Sequence, residues 1–561
     1  MLAVKVVEEM RERGADPDIW KIEGLDTAED CEKVAAAIKT GDRENVIAVV
    51  LGRGATDEKV NEWLRAGSSV EGYKGFAIGR SIFWDALKGF HEGDKSREEA
   101  VTEIADFHPG SKMLYSTNGY NSPATVDRYD LSDVNNPVLV ESVNVGTGGV
   151  TSVNIYGDLL AAAVPSSTAT NNGYLKIYNI AEDGALTLAK SLRVGVLPDM
   201  VTFSPDGSMI ITANEGQPND AYTVDPEGSV SIIDISKGVA SATVTTANFR
   251  AFNNNPTSIR KSVPTATLAQ EVEPEYIAVS ADSKMAYVSL QENNAIAVLD
   301  LTTKKVTSIW DMGLKDYRYN CMDLSDKETN IDSSKSKRIK TKCANVRSMY
   351  QPDAIQAYEV NGHTYIVTAN EGDSRDYDGY SEEVRVADLT LDKAAYPKSL
   401  TAVLDTKLGR LKTSKEEGDF DGDGDVDQII GYGGRSFSIY TAGGVQVFDS
   451  RNQFSRITMA DGTYQDGRSD DKGCEPEGLG IEKINGSTYA FITLERCSVI
   501  MVYDISDPRN PVFQQAVSSE GDVSPETVVI IKAEDSPNGE TLLIGTNEYS
   551  GTIAIYQINK K

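Results

Sequence analysis

One short stretch recurs along the chain: a proline, an acid, an apolar run and then a second acid, usually after Asn. It reads LPDMVTFSPDGSMIITANEG at Asp199 and Glu215, and EPEYIAVSADSKMAYVSLQEN at Glu275 and Glu292. It returns as QPDAIQAYEVNGHTYIVTANEG at Asp353 and Glu371 and as EPEGLGIEKINGSTYAFITLER at Glu477 and Glu495. The last copy is SPETVVIIKAEDSPNGETLLIGTNEYSG at Glu526 and Glu548. The two acids stand 16, 17, 18, 18 and 22 residues apart. Each copy holds two alternating apolar runs split by a turn such as SPDG or NG, the pattern of a β-hairpin. Further strands follow, such as GSVSIIDIS, NAIAVLDL, SVIMVYDIS and GTIAIYQI. Two weaker copies, TEIADFHPGSKMLYSTNG and VTSVNIYGDLLAAAVP, lie upstream. Repetition at this scale predicts a mostly β fold: a seven-bladed β-propeller, YVTN- or WD40-like, over residues 102–561, each blade four-stranded. Two insertions interrupt it, at about 312–348 and 375–432.

At 561 residues the chain exceeds what one hydrophobic core supports. Its formal net charge of −30 repels nucleic acid and suits divalent cations. No apolar run reaches the length of a membrane span, and MLAVKVVEEMRERG reads as a charged amphipathic helix, not a signal peptide. The three His have no zinc-site spacing. Of the five Cys, Cys321/Cys343 bracket one insertion and Cys474/Cys497 share a blade. They make either two disulfides, which suit an oxidising compartment, or four buried thiols.

The first hundred residues follow another grammar. PDIWKIEG, NVIAVVLGR and GFAIGR read as strands alternating with helices over 27–39 and 56–66. This βαβαβα order predicts a parallel sheet or part of a barrel. DPDIWKIEGLDTAEDCEKVAAA, VLGRGATDEKVNEWL and GFAIGRSIFWDAL resemble the last part of a bacterial aldolase-like (β/α)8 domain. The resemblance is to 2-deoxy-5-keto-gluconate-6-phosphate aldolase of inositol catabolism and to tagatose-bisphosphate aldolases. It implies a truncated α/β segment, a partial TIM barrel, over 1–101. Lys21 would be a Schiff-base lysine, with Arg53 and Arg80 on the phosphate side. The alternative is a remnant in which Lys21 only ends a strand, since three of eight units cannot close a pocket.

The propeller motifs, together with TANEGDSRDYDGYSEEVRV, RSFSIY and RSDDKGCEPEGL, resemble the choice-of-anchor I family. Those are secreted or surface-attached bacterial propellers, similar to a mesenchyme-specific cell-surface glycoprotein of animals. The resemblance implies an extracellular or cell-surface setting and an extracellular protein or small ligand as partner. The lack of a signal peptide in the chain leaves cytoplasmic retention as the alternative.

In a propeller, equivalent positions are related by rotation, so the repeated acids form a ring. The Pro-acid position is expected just before the innermost strand and the second acid at the end of the next. Asp199, Glu275, Asp353, Glu477 and Glu526, with Glu215, Glu292, Glu371, Glu495 and Glu548, would then line one channel mouth. Such a ring needs protons, cations or partners such as Arg375, Arg435, Arg468 and Arg496. It is either a site for a metal or cationic ligand, or a scaffold in which each acid caps a neighbouring blade. A sharper signal is GDFDGDGDVDQII, with Asp419, Asp421, Asp423, Asp425 and Asp427 alternating and Gly424 sixth. This is the order of an EF-hand-like calcium loop, with Ile430 where the closing Glu would be. Calcium is the expected cofactor, pinning an otherwise unsupported loop. Neither a nucleotide nor an organic cofactor is expected, because no P-loop or G-x-S-x-G occurs. The sequence thus reads as a calcium-binding surface module for binding or adhesion. The enzyme alternatives are a calcium-dependent phosphoesterase at the acidic mouth and a Schiff-base aldolase at Lys21.

Overall fold

The computed structural model describes residues 104–559 apart from 120–122, 255–258, 328–338, 399–402 and 405–406. Of the first hundred it describes 2–12, 17, 19–23, 25–40, 46–51, 59, 63, 65–67, 70 and 73–77. The chain divides into two compact units, residues 1–100 and 101–561.

In the first unit, β1 (Ile19–Glu23), β2 (Ile47–Leu51) and β3 (Tyr73–Ala77) pair in parallel in that order. Helix α1 spans Leu2–Glu12 and helix α2 spans Ala28–Ile38. Helix α2 begins at Thr27, whose hydroxyl accepts the Asp30 N–H at 3.2 Å. Its buried Cys31, Val34, Ala35 and Ile38 fall on one face and pack on Trp20, Ile22 and Ala48. The described strands thus form a parallel sheet, the local grammar read from the sequence. Much of what the barrel reading rests on, including Arg53, Arg80 and the stretch after Ala77, lies outside the described residues.

The second unit is built mainly of antiparallel sheets that follow one another along the chain. Sheet I comprises Ala105–His108, Met113–Asn118, Ala124–Asp130 and Val138–Gly146. Sheet II comprises Ser152–Tyr156, Leu159–Val164, Asn172–Ile180 and Leu186–Val196, and sheet III Pro198–Phe203, Met209–Asn214, Ser229–Asp234 and Thr243–Asn248. Sheet IV comprises Pro274–Val279, Met285–Leu290, Ala295–Asp300 and Lys305–Asp311, and sheet V Ile355–Val360, His363–Asn370, Ser436–Thr441 and Gln446–Asp449. Sheet VI comprises Pro476–Ile484, Ser487–Leu494, Val499–Asp504 and Val512–Val517. Sheet VII has Pro525–Ile531, Leu542–Asn547 and Thr552–Gln557.

Second and third strands such as Leu159–Val164 and Ala295–Asp300 are buried on both faces and read as continuous apolar runs, whereas outer strands such as Val138–Gly146 are largely exposed. Neighbouring sheets share apolar seams: Tyr115 and Val126 with Leu160, Leu175 with Ile210, Ile232 with Val288, Ile296 with Ile366, and Phe437 with Tyr503. Phe491 packs with Leu543, and Leu114 with Ile544, so the seams return from sheet VII to sheet I. The first strands of successive sheets touch in the same cyclic order. They line a cavity of about 370 Å³ that takes residues from all seven of these sheets. The architecture is mostly β and propeller-like.

The structure differs from expectation in three places. Sheet VII carries three strands among the described residues, not four. In four of the five copies the proline and acid do not precede the first strand, because Pro198, Pro274, Pro476 and Pro525 are its first residues in sheets III, IV, VI and VII, whereas Pro352 and Asp353 do precede Ile355–Val360 in sheet V. The second insertion is no loose loop. Glu383–Arg385, Lys412–Ser414 and Ile429–Gly431 join Val346–Met349 and Leu314–Asp316, near the first insertion, in a five-stranded sheet. Tyr317, Leu324, Val386, Tyr396 and Ile429 give it a core of its own. Cys321–Cys343 and Cys474–Cys497 are disulfide-bonded, and Cys31 is buried in the first unit. No helix among the described residues is long and apolar enough to cross a membrane.

Candidate functional site

The repeated motif is a backbone device. In four copies the residue before proline adopts positive φ: Leu197 (48°), Gln351 (48°), Glu475 (51°) and Ser524 (60°). Non-glycine residues hold this conformation at a cost and only where their surroundings enforce it. Here the carbonyls of Leu197, Glu475 and Ser524 accept the N–H groups of Glu215, Glu495 and Glu548 at 3.0, 2.9 and 2.8 Å. These bonds tie the two halves of each motif together. Just after the proline the pairing slips register in sheets III, IV, VI and VII. Asp199, Glu275, Glu477 and Glu526 sit in these bulges, which re-aim a side chain out of the ladder. In sheet VI the Cys474–Cys497 bond staples the same two halves.

The Asn before the second acid is structural. Asn214 Nδ2 donates to Ser229 O and Ser231 Oγ at 3.0 and 3.1 Å, and Asn370 Nδ2 to Ser436 Oγ and Ser438 Oγ at 3.2 and 2.9 Å. The matching signal, T-A-N followed by S-x-S, was present in the sequence.

The acids converge. Carboxylate oxygens of Asp353, Glu371 and Glu477 lie within 4.8 Å of one another, as do those of Glu371, Glu475 and Glu495. Burial first, then the charges of Glu292, Asp353, Glu215 and Asp199, push the Glu275 carboxyl well above the ordinary glutamate range. Burial and then Glu273 raise Glu292 likewise, against the pull of Arg375. Burial, then the charges of Asp353 and Asp199, raises the Tyr276 hydroxyl likewise. Of the acids named from sequence, Asp199, Glu215, Glu275, Glu292, Glu526 and Glu548 stand outside these two groups.

Three of the four arginines named from sequence do serve acids. Arg375, fully buried, bonds Glu273; Arg496 bonds Glu495 at 2.6 Å and Glu475 at 3.1 Å; Arg468 bonds Glu475 at 3.0 Å. Arg435 instead donates to the carbonyls of Asp323, Ser469 and Asp471. Sequence reasoning missed Glu273, Glu475, Gln291 and Lys472. Gln291 donates to Glu371 at 2.9 Å, and Lys472 stands 2.9 Å from Asp373 and 3.6 Å from Glu371. Three other residues cap backbone across neighbouring sheets. Asp106 accepts the Ile155 N–H at 2.7 Å, Asn154 that of Phe203 at 2.9 Å, and Gln356 that of Ile481 at 2.8 Å.

In the acidic loop, oxygens of Asp419, Asp421 and Asp427 converge within 4.8 Å. Asp419 accepts the N–H groups of Gly422 and Gly424 at 2.7 and 3.0 Å, and Gly424 (φ 95°) makes the turn. Asp423 and Asp425 fall outside that triad. The Asp423 charge and slight burial raise the carboxyl of Asp421, and burial with Asp423 that of Asp425. Lys21 lies in β1 opposite Val49, but its side chain, like Arg53 and Arg80, lies outside the described residues.

Residues 1–112 match a family described as an uncharacterized protein conserved in bacteria. Gigasin-3a of Magallana gigas is 24% identical over 187 residues, which are 28% of this chain and 66% of that protein. A mesenchyme-specific cell surface glycoprotein of Strongylocentrotus purpuratus is 33% identical over 118 residues, 20% of this chain and 15% of that one. The chain therefore spans just under two thirds of the first relative and a small part of the second. Among solved structures, Kuenenia stuttgartiensis hydrazine synthase has a TM-score of 0.44 at 12% identity, covering 82% of this chain and 95% of that one. The WD40 domain of Toxoplasma gondii coronin has 0.42 at 9%, covering 81% and 83%. The choice-of-anchor I domain matches residues 103–508, most of the chain, and the chain belongs to that family.

Proposed function

We propose that the protein is a surface-type binding or adhesion module: a seven-bladed β-propeller, one blade three-stranded, carrying structural calcium in its 419–427 loop. Calcium is favoured there because every converging donor is a carboxylate oxygen on a glycine-turned loop, the setting that hard cations take. The convergence of Asp419, Asp421 and Asp427 carries this reading. The surface setting rests on the family and on the glycoprotein relative. The ion would hold one exposed corner of a folded insertion and would take no part in chemistry.

The test is calcium binding and thermal unfolding of the full chain with and without EDTA, beside a phosphate-ester assay. Chelation is expected to lower Tm by several degrees, and Asp419→Asn with Asp421→Asn to remove one bound calcium, with no turnover. Phosphate-ester turnover that chelation abolishes would replace the binding module with a phosphoesterase.

A further inference from the structure

In sheets II to VI the first strand turns one backbone N–H out of its own ladder. The N–H groups of Ser204 and Ser280 bond the Met209 and Met285 carbonyls at 2.9 and 2.8 Å. The residues just before them, Phe203 and Val279, therefore turn theirs away from the second strand. Ile481 and Ala357 correspond in the same way, each four residues before the Asn of an Asn-Gly turn.

Three of these five groups are capped from the preceding sheet: Ile155 by Asp106, Phe203 by Asn154 and Ile481 by Gln356. The capping place is the residue just before the outward N–H in its own strand, so Thr202 holds it for Val279 and Ala278 for Ala357. Ala278 has no side-chain acceptor, and the Thr202 hydroxyl donates to the Phe203 carbonyl at 3.3 Å. No side chain among the described residues caps Val279 or Ala357. They lie on the neighbouring first strands of sheets IV and V, and both line the 370 Å³ cavity. Beside Ala357, Gln356 spends its Oε1 on Ile481, and its Nε2 has no partner among the described residues. Asn154 instead gives its Nδ2 to Asp106 at 3.0 Å. One arc of the wall thus presents three unserved donors, where the caps of sheets I to III serve one another.

Charge and shape select what serves them. Three donors call for acceptor oxygens. The charges of Asp353 and Asp199 reach Tyr276 on the same wall, and the whole chain carries −30, so an anion is opposed. Phe203 and Tyr276 line the cavity with aromatic rings, and its volume falls at the small end of the roughly 300–1,000 Å³ of ligand pockets. A hydroxylated ring meets these terms, with uncharged oxygens at its rim and C–H faces for the aromatic walls.

We infer that the channel wall between sheets IV and V binds a neutral sugar unit through the N–H groups of Val279 and Ala357 and the Nε2 of Gln356. This names the ligand class of the binding module proposed above and rests on that reading.

The experiment is saturation-transfer NMR on the full chain with methyl β-glucoside, N-acetylglucosamine and, as the anionic control, glucuronate. At least one neutral sugar should receive saturation, and glucuronate at least threefold less. Thr202→Asn and Ala278→Asn each copy the Asn154 cap, onto Val279 and Ala357 respectively. Each should cut the transfer at least threefold and slow hydrogen exchange of the amide it caps. Ala278 is buried, whereas Thr202 is only half-buried, so Thr202→Asn decides the matter if Ala278→Asn does not fold. Transfer to neither neutral sugar overturns the proposal, as does equal transfer to glucuronate. Unchanged transfer in a folded Thr202→Asn whose Val279 amide has become protected overturns it too. Phosphate-ester turnover beside cap-sensitive sugar transfer overturns the module reading alone and supports this site.

Discussion

Arg375 is the side chain on which the mouth and the inserted segment jointly depend. It is fully buried, its guanidinium bonds Glu273 and the Glu271 carbonyl, and its backbone N–H donates to Glu382 at 3.1 Å. Glu382, itself buried, pairs with Arg260 and accepts from Ser414 at 2.8 Å. The network runs from the lead-in of sheet IV into the insertion. Removing one partner of a buried pair leaves an uncompensated charge, which costs about 3–5 kcal/mol. Arg375→Met is expected to destabilise by about that much in urea unfolding, and Arg375→Met with Glu273→Gln by clearly less. A single-variant loss under about 1 kcal/mol would show that the pair is solvated in solution and does not anchor the insertion.

At the scale of elements, sheet VII is the weak point. Among the described residues its third strand, Thr552–Gln557, has one partner where third strands elsewhere have two, and Ile553, Ile555 and Tyr556 are only half buried. Hydrogen exchange should therefore release the amides of 552–557 faster than those of Val499–Asp504 in sheet VI, because unpaired edges open locally at lower cost. Equal protection in the two strands would mean that another segment covers this edge. Most of the blade grammar was legible: inner strands read as apolar runs, turns as NG and SPDG, and the acids by their spacing. Three things were not. The bulge after Pro198 or Pro476 leaves no composition signature, so the acid looked like a residue before the strand. Glu273 and Glu475 lie two residues ahead of the named acids and looked like ordinary surface charge, although both are fully buried against arginines. The insertion sheet pairs Val346–Met349 with Ile429–Gly431, more than eighty residues on, and no local pattern announces so distant a partner.

For the whole molecule, the consequence is an unusual dependence on pH. Glu273, Glu275 and Glu292 are held above the glutamate value of 4.5, and burial pushes Asp106 from 3.8 up to about 6. In the folded protein these groups keep protons that the unfolded chain has released. The unfolded state then binds fewer protons, so stability is full below the unfolded values and is lost as pH rises through the folded ones. Carboxylates shifted down, such as Asp234 and Asp316, act in the opposite sense, but only as pH falls below about 3.8, outside this window. Metal-free protein should therefore melt higher at pH 5 than at pH 7. Part of that gain comes from lowering the net charge of −30, which repels itself over the whole surface. Salt separates the two contributions: at about 0.5 M, screening falls to a few ångströms and removes the surface part, while enclosed carboxyls are screened much less. The gain should survive salt and shrink in Glu275→Gln. A melting temperature that falls steadily from pH 7 to pH 5 in EDTA would mean that the mouth acids are ionised and already compensated from within the protein.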